Sequence, residues 1–265
     1  MSFKRDINEI LKKKEADITS KFDNAEMLIM LWETKPEVVE HILPPPLEPA
    51  ELPIALAFLA HYPTHSFGVG YYEASLIVRA QYNGVEGNYI LAMPLTDDRG
   101  AFAGREVFGF PKKIANVYLE RKGNEVYGYS ERLGVKNIEA RVKITGKFND
   151  QEGIRIFMRK ILPKKGKNTV NFLFKHFPAP NKEGFDYKPW LVEQETNLNI
   201  DSWELGEADV KLNSTIHDPW AEIEIVKMYG AVYLKTNNEM FPGKKVVEVD
   251  PEEFLPYSYI KWDWY

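Results

Sequence analysis

The chain contains no cysteine. That removes disulfides, a thiolate nucleophile and any Cys-type zinc site, and it fits a reducing compartment. It also has no apolar run approaching the roughly 18 residues of a membrane-spanning helix. The opening segment, MSFKRDINEILKKKEAD, lacks an apolar stretch of signal-peptide length. An excess of positive charge is missing too: 34 Lys and Arg stand against 39 Asp and Glu, a formal net charge of -5. The one locally basic stretch, 159–167, reads as a solvated loop, so no nucleic-acid partner is expected. These absences predict a soluble, cytoplasmic protein with neither membrane nor nucleic-acid partners.

Familiar site patterns are also scarce. His61 and His65 lie four apart, but Pro63 between them opposes the helix that would align them on a metal. Gly68 and Gly70 have no third glycine at dinucleotide-binding spacing, and Gly243-Lys244-Lys245 lacks the phosphate-cradling glycines and reads as an exposed turn. No Gly-x-Ser-x-Gly or Ser/His/Asp arrangement is evident. His217-Asp218-Pro219-Trp220 reads as a turn with a packed tryptophan. No metal site is predicted.

What is present is a chain of 265 residues, 44% hydrophobic, with 14 Tyr, 15 Phe and 6 Trp, enough for a sizeable core. One domain over 1–265 is expected, with a helical N-terminal segment over 1–50. The first 21 residues carry Phe3, Ile7, Ile10, Leu11 and Ile18 at helical spacing. A second helix is predicted behind Thr34 and Glu37, spaced as a capping box, with Pro36 in its first turn and Pro44, Pro45 and Pro46 ending it.

From about residue 53 the pattern becomes that of strands. In 71–82, Tyr72, Ala74, Leu76, Val78 and Ala80 alternate with Tyr71, Glu73, Ser75, Ile77, Arg79 and Gln81. Asn83-Gly84 and a second strand over 88–95 complete a hairpin. Further strands are predicted over 113–121, 124–131, 137–147, 153–159, 170–178, 207–216 and 229–235, while 221–229 fits a short helix or a strand. This density predicts a mainly β protein with flanking helices: a large antiparallel sheet curled or closed into a barrel. Glu73 has two readings by parity. In a two-layer sheet it faces solvent, and in a barrel its face can be the lumen.

The run GREVFGFPKK, Gly104 to Lys113, is the densest chemical signal. An ordinary lysine amine, with a pKa of about 10.4, is almost wholly protonated at neutral pH and is no nucleophile. Apolar packing and a neighbouring positive charge both favour the neutral amine, and Phe108, Phe110, Pro111 and an adjacent lysine supply both beside Lys112. If residues 112 and 113 are extended, their side chains point to opposite faces, which makes desolvation by Phe108, Phe110 and Met93 the larger contribution. The plainer reading is a pair of edge-strand lysines that discourage sheet-to-sheet pairing.

GREVFGFPKK followed by Ile114-Ala115 resembles the signature of the acetoacetate decarboxylase family. The resemblance extends back through the Asn83-Gly84-Val85-Glu86-Gly87 turn and the Glu73 strand to ILPPPL at 42–47. It reaches forward, more loosely, to His217-Asp218-Pro219-Trp220 and to Val226, Gly230 and Ala231. The resemblance implies a cone-shaped, mostly antiparallel barrel, a homo-oligomer, a small keto-acid substrate and no metal or organic cofactor. It makes Lys112 the Schiff-base lysine, Lys113 the neighbour that depresses its pKa, and Glu73 the active-site carboxylate. Arg105 and Glu106 match the Arg-Glu of the motif, and Phe110 and Met93 fall beside the lysine.

Two departures stand out. Ala25 falls where the family's decarboxylases carry an arginine for the substrate carboxylate, and Phe58 falls where they carry a second glutamate. The implied activity is that of a Schiff-base carboxy-lyase releasing CO2 from acetoacetate or a related β-keto acid. A Schiff-base aldolase or dehydratase on a larger keto acid, or a non-catalytic binding barrel, are the alternatives. Weak acetoacetate turnover is expected.

Overall fold

The computed structural model describes residues 3–15, 19–66, 68–163 and 167–263. Helix α1 (Ile7–Glu15) is followed by strand β1 (Ser20–Glu33), helix α2 (Pro36–Ile42) and the two-residue strand β2 (Glu48–Pro49). Long strands β3 (Ile54–His65), β4 (Gly68–Tyr82) and β5 (Val85–Ala92) come next, then helix α3 (Asp98–Ala103). The meander β6 (Asn116–Lys122), β7 (Glu125–Arg132) and β8 (Val135–Ile144) leads into helix α4 (Gln151–Ile156). Strands β9 (Thr169–Lys175), β10 (Trp190–Leu212), β11 (Lys227–Met240) and β12 (Lys244–Glu248) precede helix α5 (Pro251–Phe254).

The strands run in the order β11-β1-β3-β4-β5-β9-β10, and β10 also pairs with β11, which closes a seven-strand mixed barrel. Closure removes the unpaired edges that a sheet of this length would otherwise expose. Strands β5 and β9 pair in parallel, and the other ladders between named strands are antiparallel. The β8-β7-β6 meander continues from β10 and folds back over β3 and β4. Gly128 permits that approach, since a Cβ there would lie 2.7 Å from Leu59 Cδ1 and 2.8 Å from the Tyr118 carbonyl oxygen.

Both faces of the barrel wall are therefore covered. Ala74, Leu76, Val78 and Ala80 of β4 pack in the layer between barrel and meander, with Val117, Leu119, Val126, Ile138 and Ala140. The alternate residues Tyr71 and Ile77 join Phe22, Met27, Tyr62, Ile90, Met93 and Phe110 inside the barrel. The hairpin turn follows its sequence, with Asn83 and Gly84 both at positive φ, 49° and 77°, as a two-residue turn of this type demands.

Several expectations fail. Residues 1–50 are not a helical segment, because the apolar run MLIMLW lies within the 14-residue strand β1, bonded on both sides. Helix α1 keeps Ile7, Ile10 and Leu11 exposed, Phe3 lies exposed ahead of it, and Ile18 lies outside the described residues. The capping box at Thr34 does not form: Lys35 is the N-cap of α2, without a side-chain cap, so that Pro36 takes the first helical position. The 153–159 strand is helix α4 running into a wide turn over Phe157–Ile161, capped by Asp150 accepting from the Glu152 N–H at 2.8 Å. Strand β10 begins at Trp190 and ends before 213, so the strand expected over 207–216 is only its last part, and the polar run at 193–197 interrupts the apolar pattern upstream. Lys244 and Lys245 are exposed but belong to β12, paired with β10, and are no turn.

Candidate active site

The GREVFGFPKK run is shaped by two glycines. Asp97 caps α3 by accepting from the Gly100 N–H at 2.9 Å, and the helix passes into a wide turn over Gly104–Phe108. Gly109 ends it at φ 97°, with its missing Cβ only 2.6 Å from the Phe174 carbonyl oxygen, so glycine is required on both counts. A Cβ on Gly104 would meet Lys112 Cε at 2.6 Å and Cδ at 2.7 Å. Gly104 is thus the floor on which the lysine stem lies.

Beyond Gly109 the chain extends beside residues 93–95. Met93 N–H donates to the Pro111 carbonyl at 3.1 Å, and Leu95 N–H to that of Lys113 at 3.0 Å. Leu95 is bridged to Ile114 on one side and Glu73 on the other. This three-segment ladder brings residues 73 and 112 together despite 39 positions between them.

Lys112 Nζ donates directly to Glu73 Oε2, and both residues are buried, at 6% and 4% exposure. The amine lies 5.6 Å from the Phe110 ring centre and 6.0 Å from that of Tyr71. Burial pushes the Glu73 carboxyl above the usual carboxylate range, although Lys112 pulls the other way. Tyr62 and Tyr71 are pushed well above the ordinary phenol range, by burial first and by the Glu73 charge second. The pair opens onto a cavity of about 400 Å³ whose wall includes Phe58, Ile77, Ile90, Met93, Phe108 and Phe110. Such a site can bring a ketone carbonyl to an amine with a proton-exchanging carboxyl at hand and little water.

Lys113 goes elsewhere. Its amine donates to the His217 carbonyl at 2.8 Å and pairs with Asp218 at 3.3 Å and Asp263 at 3.0 Å. Arg132 joins the same two aspartates at 2.9 and 2.5 Å. Burial opposes charge on Asp263, but Arg132 and Lys113 hold its carboxyl below its usual range. Among the described residues, no group of three or more His, Cys, Asp or Glu side chains gathers as a metal-binding cluster.

The comparisons with known proteins agree with this architecture. The acetoacetate decarboxylase family model matches residues 10–249. The chain belongs to the acetoacetate decarboxylase family. It is similar to a protein of Lactiplantibacillus plantarum named CLA biosynthesis isomerase, 27% identical over 85% of this chain and 82% of that one. It is similar to acetoacetate decarboxylase 2 of Mesorhizobium japonicum, 26% identical over 90% and 85% of the two chains. The crystal structure of an acetoacetate decarboxylase from Legionella pneumophila superposes with a TM-score of 0.75 at 22% identity, covering 86% of this chain and 87% of that one.

Of the residues that the acetoacetate decarboxylase resemblance points to, Lys112, Glu73, Phe58, Met93 and Phe110 line the cavity. Arg105, Glu106 and Ala25 are not among the described residues that line it. The wide turn presents Gly104, Val107 and Phe108 to the cavity, so the residues between them point away. Arg105 is half-buried near His176, Lys261 and Asp263, and Glu106 is exposed. Ala25 is fully buried beside the bulge at Asn24, on the interior face, where its methyl is too short to reach the cavity wall held by Phe22 and Met27. Tyr62 and Tyr71 were not singled out by the motifs. Tyr71 shares the parity of Glu73 on β4, the one sequence signal that could have found it.

Proposed function

We propose that this protein is a lysine Schiff-base lyase acting on a keto acid larger than acetoacetate, with Lys112 as nucleophile and Glu73 as its proton partner. The observation that carries the reading is the direct Lys112–Glu73 contact at the wall of a largely apolar cavity. Burial pushes the Glu73 carboxyl up, and its contact with Lys112 places it to exchange protons at the reacting nitrogen and the neighbouring carbon. The amine adds to the substrate carbonyl, and loss of water gives a protonated imine. The bond from the adjacent carbon to the carboxylate then breaks, its electron pair passes to the iminium nitrogen, and CO2 leaves an enamine. Glu73 returns a proton to carbon, and water hydrolyses the imine to release the ketone and restore Lys112.

Substrate size follows from the lining. Lys112 is the only cation among the described residues that line the cavity. A small keto acid held mainly by its carboxylate would lose its hydration with little in return, a cost of several kcal/mol. A longer apolar body supplies binding free energy of its own.

The same observation favours a second reading, an isomerisation in which Glu73 takes a proton from the carbon beside the iminium and the resulting enamine is protonated at a different carbon, with no carboxylate lost. A relative covering most of this chain is named an isomerase. A homo-oligomer in the cytoplasm is carried over from the family as part of the proposal.

Borohydride reduction in the presence of a keto-acid panel tests the function. A mass increment on Lys112 that depends on the keto compound is expected, with CO2 release separating lyase from isomerase. Absence of any adduct across the panel overturns the imine reading.

A further inference from the structure

The cavity has two chemically different ends. Lys112 and Glu73, its only cation and only carboxylate among the described lining residues, occupy one. From Glu73 the wall follows β4 to Ile77 and its cross-strand neighbour Ile90, then reaches Asn88, opposite Arg79. The step from position 73 to position 79 is roughly 20 Å along an extended strand at about 3.3 Å per residue. Around the barrel from Asn88, the wall continues with Thr169 and Asn171 on β9, Thr196 on β10 and Asn238 on β11. Asn238 comes back toward the lysine end: its Nδ2 lies 3.6 Å from the Met27 sulfur, and Met27 pairs with Ala60, which pairs with Glu73.

Most of that polar end is satisfied internally. Arg79 Nη1 donates to Asn88 Oδ1 at 2.7 Å, and Asn88 Nδ2 donates to Asn171 Oδ1 at 3.2 Å. Asn171 Nδ2 and Thr196 Oγ1 both donate to Gln194 Oε1, at 3.0 and 3.1 Å. Three buried atoms are left over: Arg79 Nε, which lies behind the lining, and two oxygens of lining residues. Asn238 Oδ1 and Thr169 Oγ1 are buried without a hydrogen-bond partner. Asn238 is only 4% exposed, and its Nδ2 is turned to the Met27 sulfur at 3.6 Å, which aims Oδ1 as a free acceptor. Buried polar groups are ordinarily paired, so an unpaired acceptor lining a cavity marks the place of an absent donor.

We propose that this asparagine–threonine wall binds a hydroxyl on a keto substrate whose carbonyl reacts at Lys112. The proposal rests on the imine reading of that lysine. The charge distribution selects the ligand group. A terminal carboxylate brings no donor for Asn238 Oδ1 and meets no lining cation on that wall, and a terminal ammonium meets no lining carboxylate there. A hydroxyl donates to Asn238 Oδ1 while remaining uncharged, and Thr169 Oγ1 offers a second unpaired oxygen on the same lining.

The test uses linear 2-ketones of increasing length ending in hydroxyl, each paired with the analogue ending in methyl. Two readouts keep the proposal apart from the imine reading: borohydride trapping on the native protein, and calorimetric binding to Lys112→Met, which forms no imine. At the matching chain length the hydroxyl ketone is expected to win by about tenfold or more in both readouts. Asn238→Leu is expected to abolish or invert that preference, and Thr169→Val to reduce it. Equal or better binding of the methyl ketones at every length, in both proteins, overturns the hydroxyl site. A hydroxyl preference in Lys112→Met with no trapping in the native protein keeps the site and overturns the imine chemistry instead.

Discussion

Lys112 depends on what surrounds it at van der Waals distance. Lys112→Arg is expected to abolish the borohydride adduct, because a guanidinium stays protonated and cannot form an imine; a keto-dependent adduct at another lysine would refute its role. Gly104→Ala is a sharper test, since the new methyl would lie 2.6 Å from Lys112 Cε and must displace the stem from its seat. Trapping is expected to fall about tenfold or more while the fold survives, as judged by circular dichroism, because even a displacement of about 1 Å can cost two orders of magnitude in reactivity. Trapping at the native rate would show that the stem's position is not what counts.

The ladder of residues 73, 95 and 114 explains why two adjacent lysines have different fates. Extended backbone sends neighbouring side chains to opposite faces, so Lys112 enters the barrel while Lys113 meets the turn at His217–Asp218 and the C-terminal Asp263. The geometry argues for Lys113 as a fastener between the motif segment, strand β7 through Arg132, and the C-terminal residues. Lys113→Met is therefore expected to cost about 3 kcal/mol of stability, since it leaves buried Asp218 one cation short. Adduct formation at Lys112 should persist in the folded fraction. Chemical denaturation alongside trapping checks both, and loss of the adduct with full stability would restore a direct electrostatic role.

For the barrel as a body, a charge pair inside an apolar lumen is a burden on folding. Removing one partner leaves the other uncompensated, whereas replacing both with apolar groups is often neutral or stabilising by about 1–4 kcal/mol. Lys112→Met with Glu73→Leu should thus be at least as stable as the native chain and inactive. Lys112→Met alone should show a pH dependence. Burial raises the Glu73 carboxyl, and the lysine that opposes this is gone. An acid raised on folding contributes stability in its protonated form, below its unfolded value, and that contribution is lost as pH rises through the folded value. The melting temperature of Lys112→Met is expected to fall, relative to the double variant, as pH rises above the usual carboxylate range. Parallel curves would show that Glu73 is solvated in the fold. Across substrates, the 400 Å³ cavity predicts a larger kcat/KM for longer keto acids than for acetoacetate; acetoacetate ranking first by a wide margin would refute the size argument.

Strand alternation in 71–82, the Asn83-Gly84 turn and the apolar flank of Lys112 were legible in the residues themselves, because each is a local property with a period or a fixed offset. The same locality explains the misreadings. MLIMLW is apolar without a strand period, and the stretch 193–197 within β10 is polar without any, since both are defined by what pairs with them across the barrel. Parity could say that Glu73 and Leu76 face opposite ways, but not which way is inward. Closure of β10 on β11 decides that, by turning the polar face of β4 into a lumen. Nor could sequence spacing reveal that Lys112 meets Glu73 while Lys113 meets Asp218, or that Asn88, Asn171, Thr196 and Asn238 share one wall. Those meetings join residues far apart in the chain, and only the register of a closed sheet brings them within reach.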